Sequence, residues 1–100
     1  MTEAELQQKI TALCDELGLY WHHEEISVRS KAGWVDLDIL GRAQLFPAAL
    51  FAELKSEDGR RSRAQMECGL RLQRAGLDYR LWRPEDWHRG VIQAELEAIR

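Results

Sequence analysis

Between Ala48 and Trp82 the hydrophobic period changes from two to about 3.6 and back to two, and this switch constrains the fold more than any other feature of the chain. Within Ala48 to Lys55, Leu50, Ala52 and Leu54 point one way and Phe51, Glu53 and Lys55 the other, as on a strand. Ser56 to Gly59 is a polar turn and Ser62 a plausible N-cap. Ala64, Cys68, Leu72 and Ala75 then form the inward stripe of a helix that Gly76 stops. Leu77 to Trp82 alternates again. A strand, a helix and a strand in succession make a crossover, so the two strands are expected to run parallel.

The flanking segments complete the order. Thr2 and Glu5 have the spacing of a capping box, and Leu6, Ile10, Leu13 and Leu17 recur on one stripe of a first helix that Gly18 ends. Leu19 to His23 reads as a strand, and Glu24 to Ala32 as a polar loop before Gly33. Val35, Leu37 and Ile39 alternate with Trp34, Asp36 and Asp38 in a second strand, which Gly41 closes. Pro47 precedes the third strand, Pro84 breaks the fourth, and Ile92, Leu96 and Ile99 indicate a short terminal helix. The expected fold is α/β: a small single-domain mixed sheet with flanking helices, in the order α-β-β-β-α-β with a helical tail.

At 100 residues and 45% hydrophobic content the chain supports one modest core, so residues 1–100 are read as one domain. Met1 to Lys9 is polar, and no apolar run approaches the roughly 20 residues that span a bilayer. The expectation is therefore a cytoplasmic protein with no membrane partner. Cys14 and Cys68 lie far apart in amphipathic stretches, which suits reduced core residues better than a disulfide or a zinc site. A net charge of -3 argues against coating nucleic acid by bulk electrostatics. Local charge is different: Arg60, Arg61 and Arg63 cluster, and Arg71 and Arg74 follow on the same helix. On charge alone this run is either a solvated surface or a phosphate-binding patch.

Asp36 falls in an otherwise apolar strand, and Glu53 and Lys55 fall at the end of another. Charges that enter a core edge must be paired or must coordinate a metal. Side chains two apart on a strand share a face, about 7 Å apart, and a β-hairpin from Ile39 through Leu50 would bring Asp36 to the same place. Two converging carboxylates make a hard oxygen site suited to Mg²⁺ or Mn²⁺, and Lys55 can orient a water or stabilise charge on a phosphate. This chemistry is phosphodiester hydrolysis. The other reading is a buried lysine-carboxylate pair at a sheet edge.

The run Gly33-Trp34-Val35-Asp36, then Glu53-Leu54-Lys55, then Gln65 one helix later, resembles the PD-(D/E)XK nuclease superfamily, and more narrowly the VRR-NUC domain. The resemblance takes in nearly the whole chain, including His23, Ser27, Arg29 and Ser30 before the glycine turn and Gly76 and Trp82-Arg83-Pro84 after the second helix. It implies a restriction-endonuclease-like fold, metal binding by Asp36 and Glu53, and a catalytic Lys55. It extends metal binding to a first-helix acid, for which Glu5 is the match. Stand-alone members resemble Holliday-junction resolvases that act on branched DNA as dimers, which implies a homodimer in the cytoplasm of a bacterial or phage-infected cell. One departure is Val35, where the family usually has Pro; Val keeps the backbone extended without the fixed φ.

Other residues carry two readings each. Glu5 is either an outer metal ligand or the reciprocal residue of the Thr2 capping box. Gln65, on the helix face turned toward the sheet, is either a catalytic residue bonded to the metal water or Lys55, or a satisfied core-edge amide. His22 and His23 point to opposite faces of a strand, so at most one faces the site, and His23 is the one the resemblance matches to the phosphate. Arg29, Ser30 and Lys31 in the loop, and Arg60, Arg61 and Arg63 after the turn, are the expected nucleic-acid contacts. Trp34, Trp82 and Trp87 are read as packing. Met66 and Leu70 lie opposite the Cys68 and Leu72 stripe, where a second copy can meet them. The leading function is a metal-dependent, structure-selective DNA endonuclease. The rivals are a non-catalytic nucleic-acid-binding module on the same fold and a structural α/β domain in which Asp36, Glu53 and Lys55 form an internal ion-pair cluster.

Overall fold

A computed structural model describes residues 1–24, 32–42 and 48–100. The elements are α1 (Glu3–Leu17), β1 (Tyr20–His23), β2 (Leu37–Leu40), β3 (Ala49–Leu54), α2 (Arg63–Arg74), β4 (Tyr79–Trp82), α3 (Pro84–His88) and α4 (Val91–Ile99). The strands form one mixed sheet in the order β1-β2-β3-β4. The first two pairings are antiparallel and β3 with β4 is parallel, as the crossover through α2 requires. Among the described residues no helix is long and apolar enough to cross a membrane.

The two faces of the sheet carry different burdens. On one face Leu37, Ile39, Leu50, Ala52 and Leu54 pack against Leu6, Ile10 and Cys14 of α1 and Ile92, Leu96 and Ile99 of α4, with Trp82 among them. Leu6, Ile10 and Cys14 recur at four-residue spacing, so one stripe of α1 is buried along its length. This is the main core. The other face is covered by α2 through a smaller cluster of Val35, Leu72 and Tyr79, with Phe51 and Cys68 against it.

Three departures from the sequence expectation bear on the site. First, β2 begins at Leu37, and the chain bends at Asp36. Val35 therefore does not continue the Leu37 and Ile39 face; it turns to the α2 side and is buried there. Second, Pro84 does more than break β4. It opens the five-residue helix α3, where its fixed φ suits the first helical position and its missing N–H costs nothing. Third, the α2 stripe is shallower than its spacing indicates, with Leu72 buried, Cys68 partly covered and Ala75 exposed. The helix comes close instead at Gly69, where a Cβ would stand 2.7 Å from the Tyr79 ring. A mid-helix glycine costs about 1 kcal/mol in propensity, and here it admits the tyrosine ring. The expected loop over Glu24 to Ala32 and the Pro47 position fall largely outside the described residues.

Gly33 joins the two halves of the α2 side. Its φ of +85° is a conformation that side chains with a Cβ rarely adopt, and a Cβ there would lie 2.4 Å from the Ala64 carbonyl carbon and 2.8 Å from Gln65 N. The turn before Asp36 thus rests on the first turn of α2. Gly33→Ala combines backbone strain with a clash against backbone, each costing on the order of 1–3 kcal/mol. Thermal unfolding is expected to show a fall of several degrees, and an unchanged midpoint would refute this docking.

Candidate active site

Register brings the two carboxylates together. Leu37 pairs with Ala52, so Asp36, one residue earlier, stands opposite Glu53 on the face that α2 covers. Asp36 Oδ2 accepts a 2.7 Å hydrogen bond from Leu54 N, which fixes its carboxylate against β3. Glu53 is 1% exposed and is the buried charged residue among those described. Its Oε1 accepts a 2.6 Å hydrogen bond from Gln65 Nε2 and lies 3.7 Å from Lys55 Nζ. Asp36 from the bend before β2, Lys55 just past β3 and Gln65 of α2 thereby meet around the Glu53 carboxylate.

The orientation of Gln65 is set by the helix start. Ser62 Oγ accepts from Gln65 N at 3.1 Å, and Gln65 Oε1 accepts from Ser62 N at 2.7 Å, forming a capping box. With Oε1 so engaged, the amide nitrogen is the end left to face Glu53. The two readings of Gln65 are therefore compatible: it caps the helix and donates to the site.

Burial and the neighbouring Asp36 carboxylate push the Glu53 carboxyl up to about 8, against the opposing pull of Lys55. The charge of Glu3 pushes in the same upward direction. Glu5, the first-helix acid expected to join the metal ligands, is engaged elsewhere. Its Oε1 accepts from Thr2 N at 3.1 Å in the α1 capping box, and those bonds hold its carboxyl below the usual range. Glu3, which the sequence reading passed over, is the α1 acid whose field reaches Glu53. Its place at the first position of the helix was the signal available. Among the described residues no group of three His, Cys, Asp or Glu side chains stands at metal-ligand spacing.

The remaining candidates are arranged unevenly. His22 pairs with Asp38, which puts it on the carboxylate side of the sheet, 3.4 Å from Glu24, while alternation turns His23 to the α1 side. Arg60 and Arg63 are exposed beside the start of α2. Arg61 is half-buried and donates from Nη1 to Tyr79 Oη at 3.2 Å. Arg29, Ser30 and Lys31 lie outside the described residues. Sequence reasoning did not assign roles to Tyr79 or Arg83. Arg83 Nη1 donates to the carbonyls of Ser56 and Gly59, at 2.6 and 2.7 Å, bracing the turn that follows Lys55.

The raised Glu53 carboxyl has a consequence for stability. The folded protein holds this proton more tightly than the unfolded chain, so the contribution is fully present below about 4.5 and is lost as pH rises through about 8. In metal-free buffer, denaturant titrations are expected to show stability falling across that window. Glu53→Gln should flatten the fall, and a wild-type slope retained in the variant would remove Glu53 as its source.

A scan of known protein families gives no match, and no curated protein sequence matches the chain. Solved structures do. A structure described as "VRR_NUC domain protein" superposes with a TM-score of 0.72 at 24% identity, covering 97% of this chain and 89% of its own. A second, described as "VRR_NUC domain", gives a TM-score of 0.66 at 16% identity, covering 91% of this chain and 96% of its own. The protein has the fold of the VRR_NUC domain.

Proposed function

We propose that this protein is a metal-dependent nuclease that hydrolyses phosphodiester bonds in DNA, with Asp36, Glu53, Lys55 and Gln65 at its centre. The observation that carries this reading is the burial of Glu53 against a second carboxylate, with Lys55 and Gln65 on the same oxygen. Perturbed carboxyls of this kind concentrate at functional sites. Both solved neighbours are named for a nuclease domain, which supports the assignment.

The donor set suits a hard divalent cation. A buried and a half-buried carboxylate brought together with one lysine, the buried one pushed up to about 8 despite that lysine, suit the further positive charge that Mg²⁺ or Mn²⁺ would bring. Asp36 and Glu53 would hold it, and Glu3 is the α1 acid whose charge acts on Glu53. When bound, such an ion supplies charge neutralisation at a phosphate and a more acidic water. The chain's own residues do the rest. Asp36, bonded to Leu54 N, keeps its carboxylate fixed on the sheet. Gln65 holds the Glu53 oxygen and stabilises its charged form. Lys55, 15% exposed at the site edge, places a cation where charge builds on the phosphate. Arg60, Arg61 and Arg63 would meet the strand's phosphates, with Arg61 steadied by Tyr79.

The finer reading is a structure-selective endonuclease acting on branched DNA as a homodimer. Met66 and Leu70, 47% and 45% exposed and one turn apart on the outer face of α2, are the proposed centre of the dimer contact. Light scattering should give a dimer for the wild type at micromolar concentration and a monomer for the Met66→Glu, Leu70→Glu variant; a dimeric variant would dismiss this face. The second reading is a nucleic-acid-binding module without activity on the same fold.

Cleavage decides between them. Linear, flap and four-way-junction DNA are offered with Mg²⁺, with Mn²⁺ and with chelator. The wild type is expected to cut the branched substrates only with metal, and Lys55→Ala to lose at least about a hundredfold in rate while unfolding cooperatively. Cleavage by a folded Lys55→Ala protein at the wild-type rate, or none by the wild type on any substrate, would falsify the mechanism.

A further inference from the structure

Arg83 occupies a position that its bracing role only half explains. Trp82 is the register partner of Leu54, so Arg83 follows beside Lys55 on the face that carries Glu53. Lys55 N donates to Trp82 O at 3.0 Å, which fixes the two strand ends together. From there Arg83 Nη1 donates to Ser56 O at 2.6 Å, Gly59 O at 2.7 Å and Glu57 O at 3.3 Å. The same turn is also tied to α3 by Glu57 Oε1, which accepts from Glu85 N at 2.7 Å. Arg83 N itself donates to Asp86 Oδ2 at 2.8 Å.

One nitrogen of the guanidinium therefore serves three carbonyls. Nε and Nη2, which carry its other three N–H groups, have no partner among the described residues, and no carboxylate there forms an ion pair with Arg83. A half-buried guanidinium whose Nε and Nη2 edge meets no carboxylate among the described residues is suited to an anion. The Nε and Nη2 hydrogens lie parallel, in the fork geometry that matches two oxygens of one phosphate. The carbonyl anchors hold that fork in one orientation, so little side-chain entropy is lost when an anion docks.

We propose that Arg83 is a substrate-binding residue, anchored on the Ser56–Gly59 turn through Nη1 and presenting its Nε and Nη2 edge to a backbone phosphate of the DNA strand that passes Lys55. The identity of the ligand rests on the nuclease reading. The Arg60, Arg61 and Arg63 group follows the same turn in the chain and would supply further phosphate contacts.

The test measures binding of a labelled four-way-junction DNA to the Lys55→Ala protein in Mg²⁺, across 50 to 200 mM salt. Adding Arg83→Gln, which keeps one amide donor for the carbonyls, is expected to weaken binding about tenfold and to lower the slope of log affinity against log salt by about one. Adding Arg83→Lys, which keeps the charge and three donors but not the fork, is expected to weaken binding several-fold at an unchanged slope. If Arg83→Gln does not fold, the Arg83→Lys affinity decides. Variants with lowered thermal midpoints but parental affinity and slope would reduce Arg83 to a brace and overturn the proposal. A parent that binds no DNA overturns both this proposal and the nuclease reading. Arg83-dependent binding by a wild type that cleaves nothing sinks the nuclease reading alone.

Discussion

A carboxylate sealed from water beside a second carboxylate is the constraint around which the α2 side of this protein is organised. Left alone, a buried Glu53 would cost several kcal/mol or would simply stay protonated. Its surroundings divide the problem. Lys55 lies within ion-pair distance, Gln65 donates to the same oxygen, and the Asp36 carboxylate is committed in part to Leu54 N. These contacts offset the burial without cancelling it, since the carboxyl still sits at about 8. A domain built for stability alone would fill this position with Leu, as it does at neighbouring Leu54.

Such a site needs a rigid support, and the sheet supplies it by separating duties between its faces. The α1 and α4 side carries most of the apolar burial, from Leu6 to Ile99, while the α2 side is held by Val35, Leu72 and Tyr79. Burial scales with apolar area, so the larger face supplies most of the hydrophobic stabilisation. The thinner face is then free to carry polar groups. It is stiffened by contacts that involve little apolar area: the Gly33 turn against α2, the Tyr79 ring against Gly69, and the Arg83 bonds across the β3–α2 turn. The Gly33 and Arg83 contacts tie together segments distant in sequence and end within a few residues of Asp36 and Lys55, while Tyr79 is the register partner of Phe51, two residues before Glu53.

The legibility of the sequence followed the periodic parts of the chain. Alternation in β3 assigned Glu53 and Lys55 to one face and Leu50, Ala52 and Leu54 to the other, and the structure keeps that division. The β3–α2–β4 crossover gave the parallel pair, and a hairpin between β2 and β3 was enough to set Asp36 against Glu53. What was not legible depended on breaks in period. Val35 reads as a third member of the Leu37 and Ile39 face, but the bend at Asp36 reverses its side, and the Gly33 turn just before it docks on α2, a tertiary contact that periodicity does not report. Helix α3 hid behind Pro84, which signals an ending and a beginning equally well. The same ambiguity affected the α1 acids. A capping box and a metal ligand both call for Glu near a helix start, and only the Thr2 bonds show that Glu5 spends its carboxylate on the cap while Glu3 keeps its own.

Gln65 shows how closely helix chemistry and site chemistry are joined here. A capping box accepts Glu or Gln at its third position with similar benefit to the helix, because either offers an oxygen to the N-cap N–H. The site does not treat them alike. Glutamate would bring a third negative group to a place where two already push the Glu53 carboxyl upward. It would also have no hydrogen to give once ionised. Glutamine has two unlike ends: the Ser62 N–H takes the oxygen, which leaves the nitrogen to face Glu53 Oε1 at 2.6 Å. The start of α2 thereby fixes which end of the amide meets the carboxylate, and a donor at that point favours the charged form of Glu53. The choice of Gln over Glu at this position is thus explained by the carboxylate it faces, since the helix alone does not distinguish them.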